Sequence, residues 1–276
     1  MITFSELRTR RLDVKFQELS IGDEIALCHL PELAHEKSLT AFLERAVEVA
    51  NAPTERHVTS PRAWSVGERL LALAHYCIHT REDGPDYAVT DASRLSDYLT
   101  MESDASAAPA AFEACGDRWV LRPLIGAAVE VLESLQGQIE MGPGFGAPES
   151  AVKALTEYPR LIGREFWIIG AMAAQLLREG EAIPDPVAEF AEYGEWLQRR
   201  IITMAALPGS GFDVLFAYYA QAMQTGQFFR IWFDEQGVIV LPKEAGAAVP
   251  PARFPVYSCI GTIALSLTGK AQRSAG

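Results

Sequence analysis

His75 and His79 lie one turn apart in a stretch of helical periodicity, so their imidazoles share a face and could hold one metal ion. Cys77 between them points to another face. No glutamate directly follows His75, so the HExxH pattern, which couples two ligands to a general base, is absent. Further ligands would have to come from Cys28, His29 or His35. A closed site needs four donors, and helical histidines without such a set are ordinarily core or surface residues with satisfied nitrogens. No residue is therefore assigned as a metal ligand. A helical metal-binding protein or enzyme centred on His75 and His79 stands as the alternative reading.

The remaining reactive residue types lack partners in sequence. Ser258 and Cys259 sit in an apolar context with no adjacent base, and no serine occupies a GxSxG elbow. Gly142, Gly144 and Gly146 imitate a phosphate loop in spacing only. The loop lysine is missing and Pro143 and Pro148 flank the glycines, which suits a linker. A dinucleotide fingerprint and its alternating strands and helices are absent too. Asp83, Asp86, Asp91, Asp97, Glu102 and Asp104 have no EF-hand spacing and read as a solvated acidic loop. No catalytic residue and no cofactor is assigned. The four cysteines, Cys28, Cys77, Cys115 and Cys259, are far apart, form no CxxC pair and have apolar neighbours. They read as buried thiols in a reducing compartment.

The elements that would position these residues are mostly helical. Leu12, Val14 and Phe16 alternate with charged residues, the period of a half-buried strand. Ser20 and Asp23 then start a short helix that stops at Pro31, and an apolar stripe predicts a second helix from Glu32 to Ala50. The phrase Leu19-Ser20-Ile21-Gly22-Asp23 returns in type as Trp64-Ser65-Val66-Gly67-Glu68, where Ser65 and Glu68 form a capping box before a helix from Arg69 to His79. Residues 82–118 carry no clear period, and a helix is expected from Cys115 to Leu135. Further helices are expected at Ser150–Tyr158, Leu161–Glu179, Pro186–Leu207 and Phe212–Thr225, then a β-hairpin at 227–241 and a last apolar segment, Val256–Leu267. The expected class is mainly α, with a short N-terminal strand and a C-terminal hairpin. The expected division is a helical region 1–140, a Gly/Pro-rich linker 141–149 and a second helical region 150–276.

In the hairpin, alternate residues face opposite sides, so Phe229, Ile231 and Phe233 share one face and Phe228, Arg230 and Trp232 the other. Large aromatics are usually buried, which favours packing of both faces. If one face stays open, Phe228, Arg230 and Trp232 are the candidate interface.

Charge narrows the partners. Among 276 residues, 36 acidic side chains against 24 basic ones give a formal charge of −12. That field repels phosphate backbones and anionic lipid surfaces, so neither nucleic acid nor membrane is the expected partner. The cluster Arg8, Arg10 and Arg11 reads as a solvated face. Met1 to Glu6 show no basic region followed by an apolar run, and no apolar stretch is long enough to span a bilayer, so residence in a cytoplasm is expected.

The strand from Leu12 to Phe16, the phrase Ser20-Ile21-Gly22-Asp23-Glu24 and the following helix resemble the opening of tailed-bacteriophage baseplate-assembly proteins of the T4 type and related tail-assembly proteins. There a short strand precedes a phrase like T/S-V/I-x-D/E-E and two helices. Trp64-Ser65-Val66-Gly67-Glu68-Arg69 is similar to a second such phrase, and the C-terminal half has no counterpart. The resemblance implies a non-enzymatic structural or assembly component of a phage tail or baseplate. It implies other tail or baseplate proteins as partners, a homo-oligomer as a compatible state, and the host cytoplasm, with the virion as a further location. It implies no catalytic residue.

Overall fold

In the computed structural model, residues 2–51, 58–100, 110–141, 161–223, 228–246 and 248–270 are described. The N-terminal alternation produces a hairpin of β1 (Leu7–Arg8) and β2 (Asp13–Phe16), which buries Leu12, Val14 and Phe16 and leaves Lys15 in solvent. Ser20 caps α1 (Ile21–Cys28): its Oγ accepts the Asp23 N–H at 3.1 Å, and the Asp23 carboxylate accepts the Ser20 N–H at 3.2 Å. Ser65 and Glu68 repeat this reciprocal pair at the start of α3 (Val66–Thr80). The recurring phrase is one device used twice, each time satisfying two amides that a helix start leaves orphaned.

The helix expected from Glu32 to Ala50 divides. α2 (His35–Ala46) runs without a loop into β3 (Val47–Asn51), which pairs antiparallel with β2 to give the sheet order β1-β2-β3. Val47 and Val49 are β-branched and tolerate the change to extended backbone, and the free edge of β2 supplies hydrogen-bond partners. β4 (Ala88–Thr90) and β5 (Ser93–Arg94) then form a short hairpin.

The helix expected from Cys115 is instead preceded by a second hairpin, β6 (Ala110–Ala114) and β7 (Asp117–Leu121). Cys115 and Gly116, both left-handed with φ of 56° and 82°, make its two-residue turn, as strand twist demands. α4 (Gly126–Met141) follows, and then α5 (Gly163–Gln175), which again passes directly into a strand, β8 (Leu176–Arg178). β8 pairs with β7, so the order β6-β7-β8 reproduces the first sheet. Among the described residues, two stretches thus share one connectivity: hairpin, helix, helix, strand.

α6 (Phe190–Ala205) and α7 (Gly209–Ala222) lead to the expected hairpin, β9 (Arg230–Asp234) and β10 (Gly237–Leu241). A 3-10 turn over Val256–Cys259 and α8 (Thr262–Leu267) complete the described chain. The expected mainly α class is therefore corrected to a mixed α/β fold. Among the described residues, eight helices account for 48% and ten strands in four small sheets for 19%. Strands of two to five residues offer too few alternations to be recognised, and two of them continue a helix with no punctuation between.

α4 is the hub, with α2 on one side and α5 and α6 on the other. One hydrophobic core runs from Leu7 to Ala264. It joins segments from both sides of 141–149, since β8 pairs with β7 and α4 packs on α5. Residues 142–149 of that stretch, and the helix expected at Ser150–Tyr158, lie outside the described residues.

Candidate functional site

Two places collect polar or aromatic chemistry, and they differ in access. The first lies where α2, α3 and α4 meet. Arg69 of α3 is fully buried. Its Nη1 sits 3.2 Å from the Glu36 carboxylate, and its Nη2 donates to the Glu36 carbonyl at 2.7 Å and to Thr40 Oγ1 at 2.8 Å. Thr40 in turn donates to Glu130 of α4, whose other oxygen accepts from Arg62 Nε at 3.2 Å. Glu133, one turn further along α4, accepts the Glu36 and Lys37 amides at 2.8 and 3.1 Å. It caps a helix whose own N-cap, Ala34, has no side-chain acceptor. Burial, then the Glu36 charge, pushes the Glu133 carboxyl up to about 7, and burial raises Glu36 as well, against the pull of Arg69. With Arg69 closed to solvent, this cluster fastens helices and offers no room for a substrate.

The second place is open. β9 and β10 bury Ile231, Phe233, Val238 and Val240 on one face, and Phe229 just before them. The ring of Phe233 stacks on Trp167 of α5 at 6.2 Å. Gly237, with φ of 123°, brings the turn against the same indole, where a Cβ would stand 2.9 Å from Trp167. Both the conformation and the approach require glycine here. Arg253 locks the turn by donating to both Asp234 oxygens at 2.6 and 2.7 Å and to the Val238 carbonyl at 2.8 Å. A rigid hairpin results, and its outer face carries Trp232 directly opposite Ile239, both half-buried. These two and Leu241 line an open cleft of about 1530 Å³. Its other walls include Ile139, Leu161, Ile162 and Pro251, with Arg164, Glu165 and Glu235 at the rim.

Of the three interface residues expected from alternation, only Trp232 is among the described residues that line this cleft. Arg230 is turned across the hairpin, donating to the Pro242 carbonyl at 3.0 Å. Phe228 is half-buried, and its carbonyl accepts the Thr100 amide at 2.8 Å. One hairpin face is buried, and the other is covered in part, with Phe228 and Trp232 half-buried against the core.

The histidine pair is brought together but used otherwise. The rings of His75 and His79 lie 4.6 Å apart. His75 Nε2 meets the Ser5 carbonyl at 2.8 Å. His79 Nδ1 meets the His75 carbonyl at 2.9 Å, which leaves Nε2 to accept the Ser5 amide at 3.2 Å. Phe4 stacks on Tyr76 beside them. The pair therefore clasps the N-terminal segment. Burial lowers the His75 pKa, consistent with a neutral ring. His29 closes the end of α1, His35 opens α2 and Cys28 is in the core. Among the described residues no three side chains of ligand type converge on a common point.

Sequence reading missed the cluster around Arg69. Its signal was present: Glu36, Thr40, Arg69 and Glu130 are polar residues at positions where the helical period calls for apolar ones. No protein-family model matches the chain, and no curated protein or solved structure is significantly similar to it. Among the described residues, no single helix is long and apolar enough to cross a membrane.

Proposed function

We propose that this protein acts by binding other proteins, without catalysis, as a structural or assembly component of a phage tail or baseplate. The observation that carries the binding reading is the Trp232–Ile239 pair, half-covered at the edge of an open cleft and held by a hairpin that has little freedom to lose. Preorganised aromatic anchors of this kind contribute most of the energy at protein interfaces, because ordering them costs little. The tail or baseplate setting comes from the resemblance of the N-terminal strand and capped helices.

The cleft suggests what the partner offers. Its lining is mostly apolar, and its charged residues are Glu165, Asp234 and Glu235 against Arg164, in a chain with a charge of −12. An apolar side chain flanked by lysine or arginine fits that surface, and opposite net charge speeds encounter. A stable complex would extend beyond the cleft, since such interfaces bury about 1,200 Å² or more.

Co-purification of the full chain from infected or induced cells tests the proposal, with Trp232→Glu run in parallel. A tail or baseplate protein recovered in stoichiometric amount with the wild type, and lost from a variant of unchanged melting temperature, is the expected result. Absence of tail proteins, or their full retention by Trp232→Glu, would overturn it.

A further inference from the structure

Away from the Arg69 cluster and the cleft beside Trp232, a third concave place lies between the sheet of β7 and β8 and one face of α6. Trp119 of β7 pairs directly across from Arg178 of β8, so the two side chains share one face of that sheet. On α6, Trp196, Arg199, Arg200, Thr203 and Met204 stand at i, i+3, i+4, i+7 and i+8, the spacing of one helix face. With Glu181 and Leu207 these residues line an open pocket of about 280 Å³.

The pocket has a fixed floor and an exposed mouth. Trp119 is 3% and Trp196 9% exposed, and Trp119 Nε1 donates to the Ala114 carbonyl at 3.0 Å. The Arg200 guanidinium lies over both indoles, at 6.0 and 5.6 Å. Its Nη1 donates to both Glu181 oxygens at 2.8 Å and its Nη2 to the Leu176 carbonyl. The Glu181 charge is thus engaged on Arg200. Arg178 and Arg199 are held differently, with side chains 52% and 69% exposed. Their acidic neighbours, Asp117 at 3.0 Å and Glu195 at 3.7 Å, stand outside the pocket lining. Water screens pairs as exposed as these, so either guanidinium can turn to an anion in the pocket without losing a strong bond.

We propose that this pocket binds a small aromatic carboxylate. The ring lies among Trp119, Trp196, Met204 and Leu207, and Arg178 and Arg199 receive the acid group. Charge selects the anion: among the described lining residues three arginines face one glutamate, the reverse of the cleft beside Trp232. The planar fork of a guanidinium matches the two oxygens of a carboxylate. Indole and guanidinium planes both stack on a flat ring. The volume equals that of on the order of nine liquid waters, which admits a bicyclic acid and is too small for a folded peptide segment.

Isothermal titration calorimetry of the full chain with indole-3-acetate tests the proposal. Indole-3-acetamide serves as the uncharged analogue and acetate as the anion without a ring. The expected result is one saturable site with a dissociation constant of about 1 mM or below, the level that a ligand of this size reaches in an open pocket. Both controls should bind at least about tenfold more weakly, as should indole-3-acetate to the double variant Arg178→Gln, Arg199→Gln, since each loses the charged contact. Trp232→Glu should bind indole-3-acetate as the wild type does, which separates this outcome from the fate of the protein-binding reading. Absence of saturable binding, equal binding of either control, or full retention by the double variant would overturn the proposal. The comparison of acid with amide on the wild type decides the matter even if the double variant fails to fold.

Discussion

Among the described residues, the stretches Leu7–Asn51 and Ala110–Arg178 have the same order of hairpin, helix, helix and strand, yet they begin their first helices by different chemistry. α1 starts on its own side chains, Ser20 and Asp23, at the protein surface. α4 starts against the backbone of another segment: Gly126 N–H donates to the Trp64 carbonyl at 2.9 Å, and the Leu124 carbonyl accepts the Val66 amide at 2.8 Å. Each start carries a glycine, Gly22 as the second residue of α1 and Gly126 as the first of α4, and the space around them differs. A Cβ on Gly22 would meet only Ser20 Oγ at 3.7 Å, whereas one on Gly126 would stand 2.6 Å from Arg69 Nη1 and 2.9 Å from the Pro61 carbonyl. Repeated connectivity therefore does not mean repeated energetics. The second stretch is bound to the first through the buried charges of α2, α3 and α4, and the cost of disturbing it should be higher.

The largest effect is expected at the centre of that junction. Arg69→Ala leaves the Glu36 carboxylate buried without its cation and Thr40 without a donor, and should cost about 3–5 kcal/mol in urea unfolding. A loss below about 1 kcal/mol would show that the ion pair does not hold the two stretches together.

Next comes the pH dependence of Glu133. Its folded-state pKa, about 7, is raised above the ordinary carboxylate value of 4.5. The folded chain therefore binds this proton more tightly than the unfolded chain does. That contribution to stability is complete below pH 4.5 and is lost as pH rises through about 7. Glu133→Gln removes it, so the stability of the variant relative to wild type should rise by up to about 3 kcal/mol between pH 4.5 and pH 8. Comparing the two pH values cancels any constant cost of the altered α2 cap. His35 supplies the opposite slope. Burial, then Arg253, lowers it to about 4, so its contribution is present above pH 6.5 and lost as pH falls toward 4. The variant should expose that acid-side loss, which Glu133 masks in the wild type.

The smallest effect separates the two stretches most directly. Gly126→Ala forces the Arg69 guanidinium aside and should destabilise by about 1–3 kcal/mol. Gly22→Ala has space and should be neutral or stabilising by up to about 1 kcal/mol, since alanine favours helix over glycine. Equal responses from both variants would erase the distinction.

Much of this fold was legible in local chemistry. The capped starts of α1 and α3, the hairpin of β9 and β10, and the approximate extents of α6 and α7 follow from capping residues, alternation and helical stripes. β3 and β8 were not legible, because Val47–Asn51 and Leu176–Arg178 prolong the apolar stripe of the helix before them. What ends those helices is a free strand edge supplied by β2 or β7, and no window along the chain contains both partners. The hairpin of β6 and β7 was hidden for a local reason, since Cys115 in a left-handed turn has no common signature.

The candidate site divides in the same way. The alternation of Phe229 to Phe233 established two faces and put Trp232 on the one opposite Ile231 and Phe233. Only packing against Trp167 decided which face is buried, and only α5 and the end of α4 turned the other into a cleft. By itself the sequence determined what is periodic or adjacent: capped helix starts, the two sides of a hairpin, an acidic net charge. The tertiary structure decided what depends on meeting across distance. It put Arg69 beside Glu36 and Glu133 over the start of α2. Burial and the pairing of charges are properties of where remote segments meet, so they become readable only when the chain has closed on itself.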